Sequence, residues 1–287
     1  MTLSRRYTGR AWHHPCVTRL ASAHVLITGG SSGIGLAVAE QCARRGAAVS
    51  LVARDVARLE RARDRVTAVA TTAAASPAVA VAAADVADPR ALGSAFAALV
   101  DEHGPVDVLV TSAGYAHPGH FAELDLAVFR DQMEVDYFGT LHAVRAVVPS
   151  MMQRRRGHLV LVASTVAFVG IYGYSAYAPA KHAVRGLAET LRPELKPYGV
   201  TVACAYPPDT ETPGFERENA HKPETTKRVS AGIAPRSAAT VAAAIVKGIE
   251  RNRLVITADP TTALLARTSG LVAPLLHPLL DRHVPGA

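Results

Sequence analysis

The 287-residue sequence has few cysteines, few aromatic residues and no long unbroken apolar run. Its three cysteines, Cys16, Cys42 and Cys204, are widely spaced, which excludes a disulfide scaffold and a cysteine-built zinc site. Such usage suits a reducing cytoplasm. Aromatic residues make up 5% of the chain against 49% hydrophobic residues overall, so the core must come mainly from Ala, Val and Leu. That apolar content is enough to offset the entropy of folding and excludes a disordered or collagen-like chain. Two stretches, 66–84 and 157–180, lack Asp, Glu, Lys and Arg. The first is broken by Pro77 and the second carries Ser, Thr, Tyr and Gly. Neither is the continuous run of roughly 20 apolar residues that a spanning helix needs.

Acidic residues are absent from the first 24 positions, which hold Arg5, Arg6, Arg10 and Arg19. The formal net charge is +7, but residues 25–260 contribute only 25 basic against 23 acidic side chains. The basicity therefore belongs mostly to an N-terminal arm, read as a solvated tail over 1–22. A nucleic-acid partner is not expected for the body. The arm has no apolar segment after its arginines, so it does not read as a secretory signal.

Short β-branched runs alternate with helical patterns. Strands are expected at His24–Thr28, Ala47–Val52, Ala78–Ala84, Val106–Thr111, His158–Ser164 and Val200–Tyr206, with a weaker seventh at Leu254–Thr257. Their near-continuous apolar character fits a parallel sheet covered on both faces. Asp55, Asp88 and Ser237 are helix-starting caps. The pattern predicts one α/β domain over 23–258, a doubly wound parallel sheet of about seven strands with helices on both faces, followed by an apolar tail over 259–287. In that tail, the stretch 268–280 is interrupted by Pro274 and Pro278. It is read as lying on a membrane or capping a substrate pocket, not as spanning.

Directly after the first strand stand Thr28-Gly29-Gly30-Ser31-Ser32-Gly33-Ile34-Gly35 and then a helical run. Gly29 permits the turn, and Gly33 and Gly35 let backbone approach a pyrophosphate at a helix N-terminus. The Gly-x-x-x-Gly-x-Gly spacing resembles the glycine motif of the short-chain dehydrogenases/reductases, a Rossmann-like family. At the second strand tip, Ala53 is followed by Arg54. An Arg there meets the 2′-phosphate of NADP, whereas an acid would select NAD, so NADPH/NADP is the expected cofactor. The resemblance implies further cofactor contacts at Asp85-Val86 and at Thr111-Ser112-Ala113-Gly114, where the family usually shows Asn-Asn-Ala-Gly.

Ser164, Tyr177 and Lys181 form the strongest chemical constellation. Tyr177 and Lys181 are four apart and share a helix face. An ammonium beside a phenol is expected to pull the tyrosine pKa down from about 10 towards the working range. This set also resembles the family's, across residues 24–257. The resemblance implies Tyr177 as proton donor or acceptor, Lys181 as holder of the nicotinamide ribose, and Ser164 as the group that polarises a carbonyl. Where the family carries an Asn, this chain has Asp136, expected to keep an acceptor for a water relay to Lys181 and to alter the pH optimum.

Residues 177–200 and 205–230 resemble the 3-ketodihydrosphingosine reductases of that family. They share Pro207-Pro208-Asp209-Thr210, Thr212–Phe215, Glu218-Asn219 and Lys222-Pro223. Thr212 matches the threonine that contacts the nicotinamide carboxamide, and Pro207 and Thr210 join the implied cofactor site. The function so implied is NADPH-dependent reduction of a ketone on a long-chain or lipid substrate. A hydroxysteroid- or retinol-type dehydrogenase is the alternative within the family, and a non-catalytic dinucleotide-binding sensor the alternative outside it. Family habit implies a homodimer or homotetramer. Phe168–Tyr172 and the tail leucines, including Leu264 and Leu265, are candidate pocket walls or lipid contacts. The expected location is cytoplasmic, with or without peripheral membrane contact. The histidines at 13, 14, 117 and 120 lack metal-ligand spacing, and no metal is expected.

Overall fold

The computed structural model describes residues 18–70, 78–231 and 234–281, with side chains described as far as residue 270. In chain order the first half comprises β1 (His24–Thr28), α1 (Gly33–Ala43), β2 (Ala48–Ala53), α2 (Val56–Ala70), β3 (Val79–Ala83), α3 (Pro89–His103), β4 (Val108–Thr111), α4 (Leu126–Gln132) and α5 (Gly139–Arg154). Then come β5 (Gly157–Val162), α6 (Tyr177–Leu195), β6 (Val200–Ala205), β7 (Thr210–Glu211), α7 (Pro213–His221), α8 (Glu224–Ser230), β8 (Arg236–Ser237), α9 (Ala238–Glu250), β9 (Val255–Ile256) and α10 (Pro260–Asp281).

Seven strands form one parallel sheet in the order β3-β2-β1-β4-β5-β6-β9, while β7 and β8 pair separately. Period-two alternation assigns neighbouring side chains to opposite faces. Val25 and Ile27 of β1 pack with α1, α2 and α9, whereas Leu26 packs with α3, α5 and α6. In β5, Val160 and Val162 go one way and Leu159 and Leu161 the other. Two cores, one on each face, are the reason the strands read as unbroken apolar runs.

The order reverses between β1 and β4, so the loops leaving those two strands diverge and open a crevice at the carboxyl ends of the sheet. The helix starts are fixed locally. Asp88 accepts from the backbone N–H groups of Arg90 and Ala91, and Ser237 accepts from that of Thr240. Asp55 accepts from the Arg58 N–H at the start of α2.

Three features depart from the sequence reading. Residues 1–17 lie outside the description, but Leu20 is buried in the α1–α2–α9 core and Thr18 hydrogen-bonds Asn252 and His158. Residues 18–22 therefore pack against the fold instead of trailing from it. Between α4 and α5 the helix runs on through one wide π-helical turn, Met133–Phe138, which the apolar periodicity did not reveal. Helix α10 continues through positions 274 and 278, although Pro274 and Pro278 read as breaks. Its Leu265 and Ala266 pack on the α3–α5–α6 core and Leu264 is exposed. Among the described residues, no helix is long and apolar enough to cross a membrane.

Candidate active site

The loop from β1 into α1 is shaped by crowding. Gly29 has φ +69°, and a Cβ there would lie 2.6 Å from the Ser112 carbonyl oxygen. A Cβ on Gly35 would stand 2.4 Å from the Gly29 carbonyl oxygen, with backbone unable to retreat. Gly33, at φ +55°, faces the Thr212 methyl, so Thr212 closes one side of the loop. Ser32 precedes α1 without capping it through its side chain, which leaves the first-turn N–H groups around Ser31, Ser32, Gly33 and Ile34 available to an anion. Bare, converging N–H groups on a glycine cradle fit the pyrophosphate of a dinucleotide.

Other predicted cofactor residues ring this loop. Arg54 follows β2 and is 69% exposed, with its guanidinium 3.6 Å from the Asp85 carboxylate beyond β3. Asp85 also accepts from the Ala87 N–H, and Val86 is buried against Gly139. Ala113 donates its N–H to the Thr28 hydroxyl across the β1–β4 gap. The Pro207 carbonyl accepts from the Thr165 N–H, and the Thr210 hydroxyl donates to the Pro208 carbonyl. Thr212 caps α7 by accepting from the Phe215 N–H.

Ser164, Tyr177, Lys181 and Asp136 come together at the carboxyl ends of β4 and β5. Strand β5 ends at Val162, two residues earlier than the apolar run suggests, because Ser164 turns the chain into a short 3-10 segment and accepts from the Val166 N–H. Ser164 stands beside the Tyr177 phenol, near enough to favour its ionised form. Lys181 lies one turn along α6 from Tyr177, its Nζ 5.5 Å from the Tyr177 ring centre. The Lys181 Nζ donates to the Val162 carbonyl at 3.3 Å and stands 3.1 Å from Asp136 Oδ1, with both side chains buried. Gly114 is what makes room, since a Cβ there would lie 2.2 Å from Asp136 Oδ1.

Two expectations are corrected by this geometry. Asp136 meets Lys181 directly, not through a water, because the π-helical turn carries its carboxylate to the ammonium. Burial raises the Asp136 carboxyl to about 6, against the opposing pull of Lys181. Nor is the Tyr177 proton loosened. Desolvation first, then the negative charges of Asp136, Glu218 and Asp209, push its pKa well above 10, while Ser164 acts the other way. Lys181 spends its charge on Asp136. A phenol that holds its proton is set up to donate it to an oxyanion as that oxyanion forms, which suits reduction of a carbonyl.

Phe168 does not line a pocket wall. It is buried against Tyr206, with ring centres 4.3 Å apart, and Arg185 stacks on it. His117 and His120 are held by aromatic neighbours, His221 and Tyr172, and no cluster among the described residues could hold a metal. The sequence reading did not assign roles to Tyr174, Asp209, Glu218 or Lys222. The structure places them near the Tyr177 phenol, with the Tyr174 ring 5.9 Å from Tyr177 and the Tyr174 hydroxyl donating to Glu218. The Tyr-x-x-Tyr spacing on the approach to α6 was the available signal.

Known proteins resemble this chain at both levels. A family model described as short chain dehydrogenase matches residues 23–223. The 3-dehydrosphinganine reductase of Danio rerio is 40% identical over 259 residues, covering 90% of this chain and 77% of that protein. A 3-ketodihydrosphingosine reductase of Dictyostelium discoideum is 37% identical over 275 residues, covering 92% and 82%. Among solved structures, a short-chain dehydrogenase from Sphingobium yanoikuyae in complex with NADPH has a TM-score of 0.74 at 28% identity, covering 92% of this chain and 97% of that one.

Proposed function

Because the chain belongs to the short-chain dehydrogenase family, we propose that it is an NADPH-dependent reductase that converts the ketone of 3-ketodihydrosphingosine to a secondary alcohol. When bound, NADPH supplies the hydride that reaches the carbonyl carbon. The chain's own residues do the rest. The glycine loop and the start of α1 would hold the pyrophosphate, and Arg54, steadied by Asp85, would meet the ribose 2′-phosphate. Ser164 donates a hydrogen bond to the substrate oxygen and fixes its direction. Tyr177 then transfers its phenolic proton to that oxygen as negative charge develops there. Lys181, on the same helix, would hold the ribose, and it shares its charge with Asp136.

The observation that carries this reading is the convergence of Ser164, Tyr177 and Lys181 at the carboxyl ends of β4 and β5, in a chain whose relatives are named for reducing this ketone. The test is NADPH consumption by the full chain with 3-ketodihydrosphingosine. Turnover is expected, and Tyr177→Phe should lower it roughly 100-fold or more, the usual scale of a lost general acid. No consumption of NADPH with that ketone or any other long-chain ketone overturns the reading.

A further inference from the structure

The helix that carries Tyr177 begins without a cap of its own. Tyr177 is the first residue of α6, and Ala176 before it has no side chain to accept from the free N–H groups of the first turn. Helices α3, α7 and α9 start instead on Asp88, Thr212 and Ser237, each of which accepts from a first-turn N–H. An uncapped first turn is prone to fray. The phenol of Tyr177 stands on that turn, so its placement depends on a hold from elsewhere.

Helix α7 supplies that hold through Tyr174. The Tyr174 carbonyl accepts the Ala178 N–H at 2.8 Å, which ties it to the first turn of α6. Tyr174 is buried in one apolar cluster with Val166, two residues past Ser164, and with Ala178 and Tyr177. Its hydroxyl donates to Glu218 of α7. Lys222, four residues on, grips the same Glu218 oxygen at 3.1 Å, and its buried ammonium sits over the Phe215 ring. Charge-assisted bonds of this kind are strong and directional. A second tie lies beside the first. The Thr226 hydroxyl donates to the Tyr172 carbonyl at 2.9 Å, and Gly173 between them takes φ +85° with Thr226 and Pro223 where a Cβ would be. The approach to α6 is thus fastened to α7 and α8 on either side of Gly173. At its other end α7 is anchored where Thr212 faces Gly33 of the glycine loop.

We propose that Tyr174 and Glu218 are positioning residues: the hydrogen bond between them takes the place of a cap on α6 and holds the Tyr177 phenol in line with the substrate oxygen. Lys222 keeps Glu218 aimed at Tyr174. The assignment rests on the ketone-reductase reading, with Tyr177 as proton donor, and adds the residues that act through that phenol. Proton transfer needs its two oxygens within hydrogen-bond reach, and a displacement of about 1 Å is worth on the order of 100-fold in rate. Loss of one brace, with the ring packing kept, should cost part of that.

The experiment is steady-state kinetics of the full chain with NADPH and 3-ketodihydrosphingosine, well below the unfolding temperature. Tyr174→Phe removes the hydroxyl and keeps the ring. It should lower kcat about ten-fold and leave the KM for NADPH unchanged. Glu218→Gln keeps an oxygen that can accept from Tyr174, and should retain more of kcat than Glu218→Ala. Adding Tyr174→Phe to Glu218→Ala should cost nothing further, because both act through one hydrogen bond. A wild-type kcat in Tyr174→Phe overturns the proposal while the reductase reading stands. So does a double variant in which the two losses multiply. Should Glu218→Ala not fold, the Tyr174→Phe result decides alone. No turnover by the wild type overturns the reductase reading, and this assignment falls with it.

Discussion

Asp136 and Lys181 form a buried ion pair 3.1 Å apart, directly behind the phenol of Tyr177. The pair ties the proton chemistry of the site to a carboxyl whose own pKa is about 6.

Replacing Asp136 with Asn removes a negative charge that strengthens the hold of Tyr177 on its proton. In the proposed reduction Tyr177 donates its proton, so activity should fall as pH rises through its pKa. A lower Tyr177 pKa moves this alkaline limb to lower pH in Asp136→Asn. Wild type should also show an inflection near pH 6 that the variant lacks. A pH profile of kcat/KM checks both features.

Arg54 is expected to act on the cofactor phosphate alone. Arg54→Ala should raise the KM for NADPH roughly ten-fold, the worth of one charge-assisted contact at an exposed site, and leave the KM for NADH unchanged. Steady-state kinetics with the two cofactors side by side decide it. An equal change in both would mean that Arg54 shapes the loop instead.

Gly114→Ala puts a methyl group 2.2 Å from Asp136 Oδ1 and 3.2 Å from Lys181 Nζ. The Asp136 side chain is fully buried, so any retreat must displace its neighbours or break its contact with Lys181. The expected outcome is a Tm lowered by several degrees, corresponding to about 1–3 kcal/mol of overpacking, and a larger loss in kcat than in cofactor affinity. Thermal unfolding and NADPH titration separate the two effects.

Buried histidines at the opposite end of the sheet should make the protein acid-labile. Burial lowers His158 from 6.5 to about 4, and His24 is lowered for the same first reason. Once unfolded, these imidazoles take up protons that the folded state refuses. The His158 contribution is thus intact above pH 6.5 and is lost as pH falls towards 4, on the order of 3 kcal/mol in all. Asp136, with its raised carboxyl, acts oppositely in that window. The measurement is therefore the difference in urea unfolding between wild type and His158→Gln at pH 7 and pH 4.5, which should narrow at the lower pH.

The seven sheet strands were legible because a strand covered on both faces advertises itself as an apolar run, as in HVLIT of β1 and the LVLV of β5. Glycine spacing was equally direct, since Gly29 and Gly35 answer to steric demands a few ångströms away. The i, i+4 rule put Tyr177 and Lys181 on one face. What spacing does not carry is burial. The proton affinity of Tyr177 depends on how much protein surrounds it and on Glu218 and Asp209, 41 and 32 positions along the chain. Likewise the match at Lys222-Pro223 gives no sign that the fold closes over the lysine. The wide turn at Met133–Phe138 was invisible for a related reason: a π-helical turn differs from an α-helical one by a single residue, which blurs an apolar period without breaking it.

That turn sets the angular phase of the long helical run from Leu126 to Arg154. Each residue of an α-helix advances by about 100°, so one residue of slack decides which azimuth everything beyond it occupies. Upstream, Asp125 is locked as a cap at the loop end, and downstream Val144, Val147 and Met151 are locked into the core. Deleting one residue within the turn would leave both anchors where they are and rotate the carboxylate of Asp136 off the ammonium it serves. The buried ion pair is therefore specified partly by the identity of residue 136 and partly by a count of residues, and only the first of these can be altered without disturbing the second.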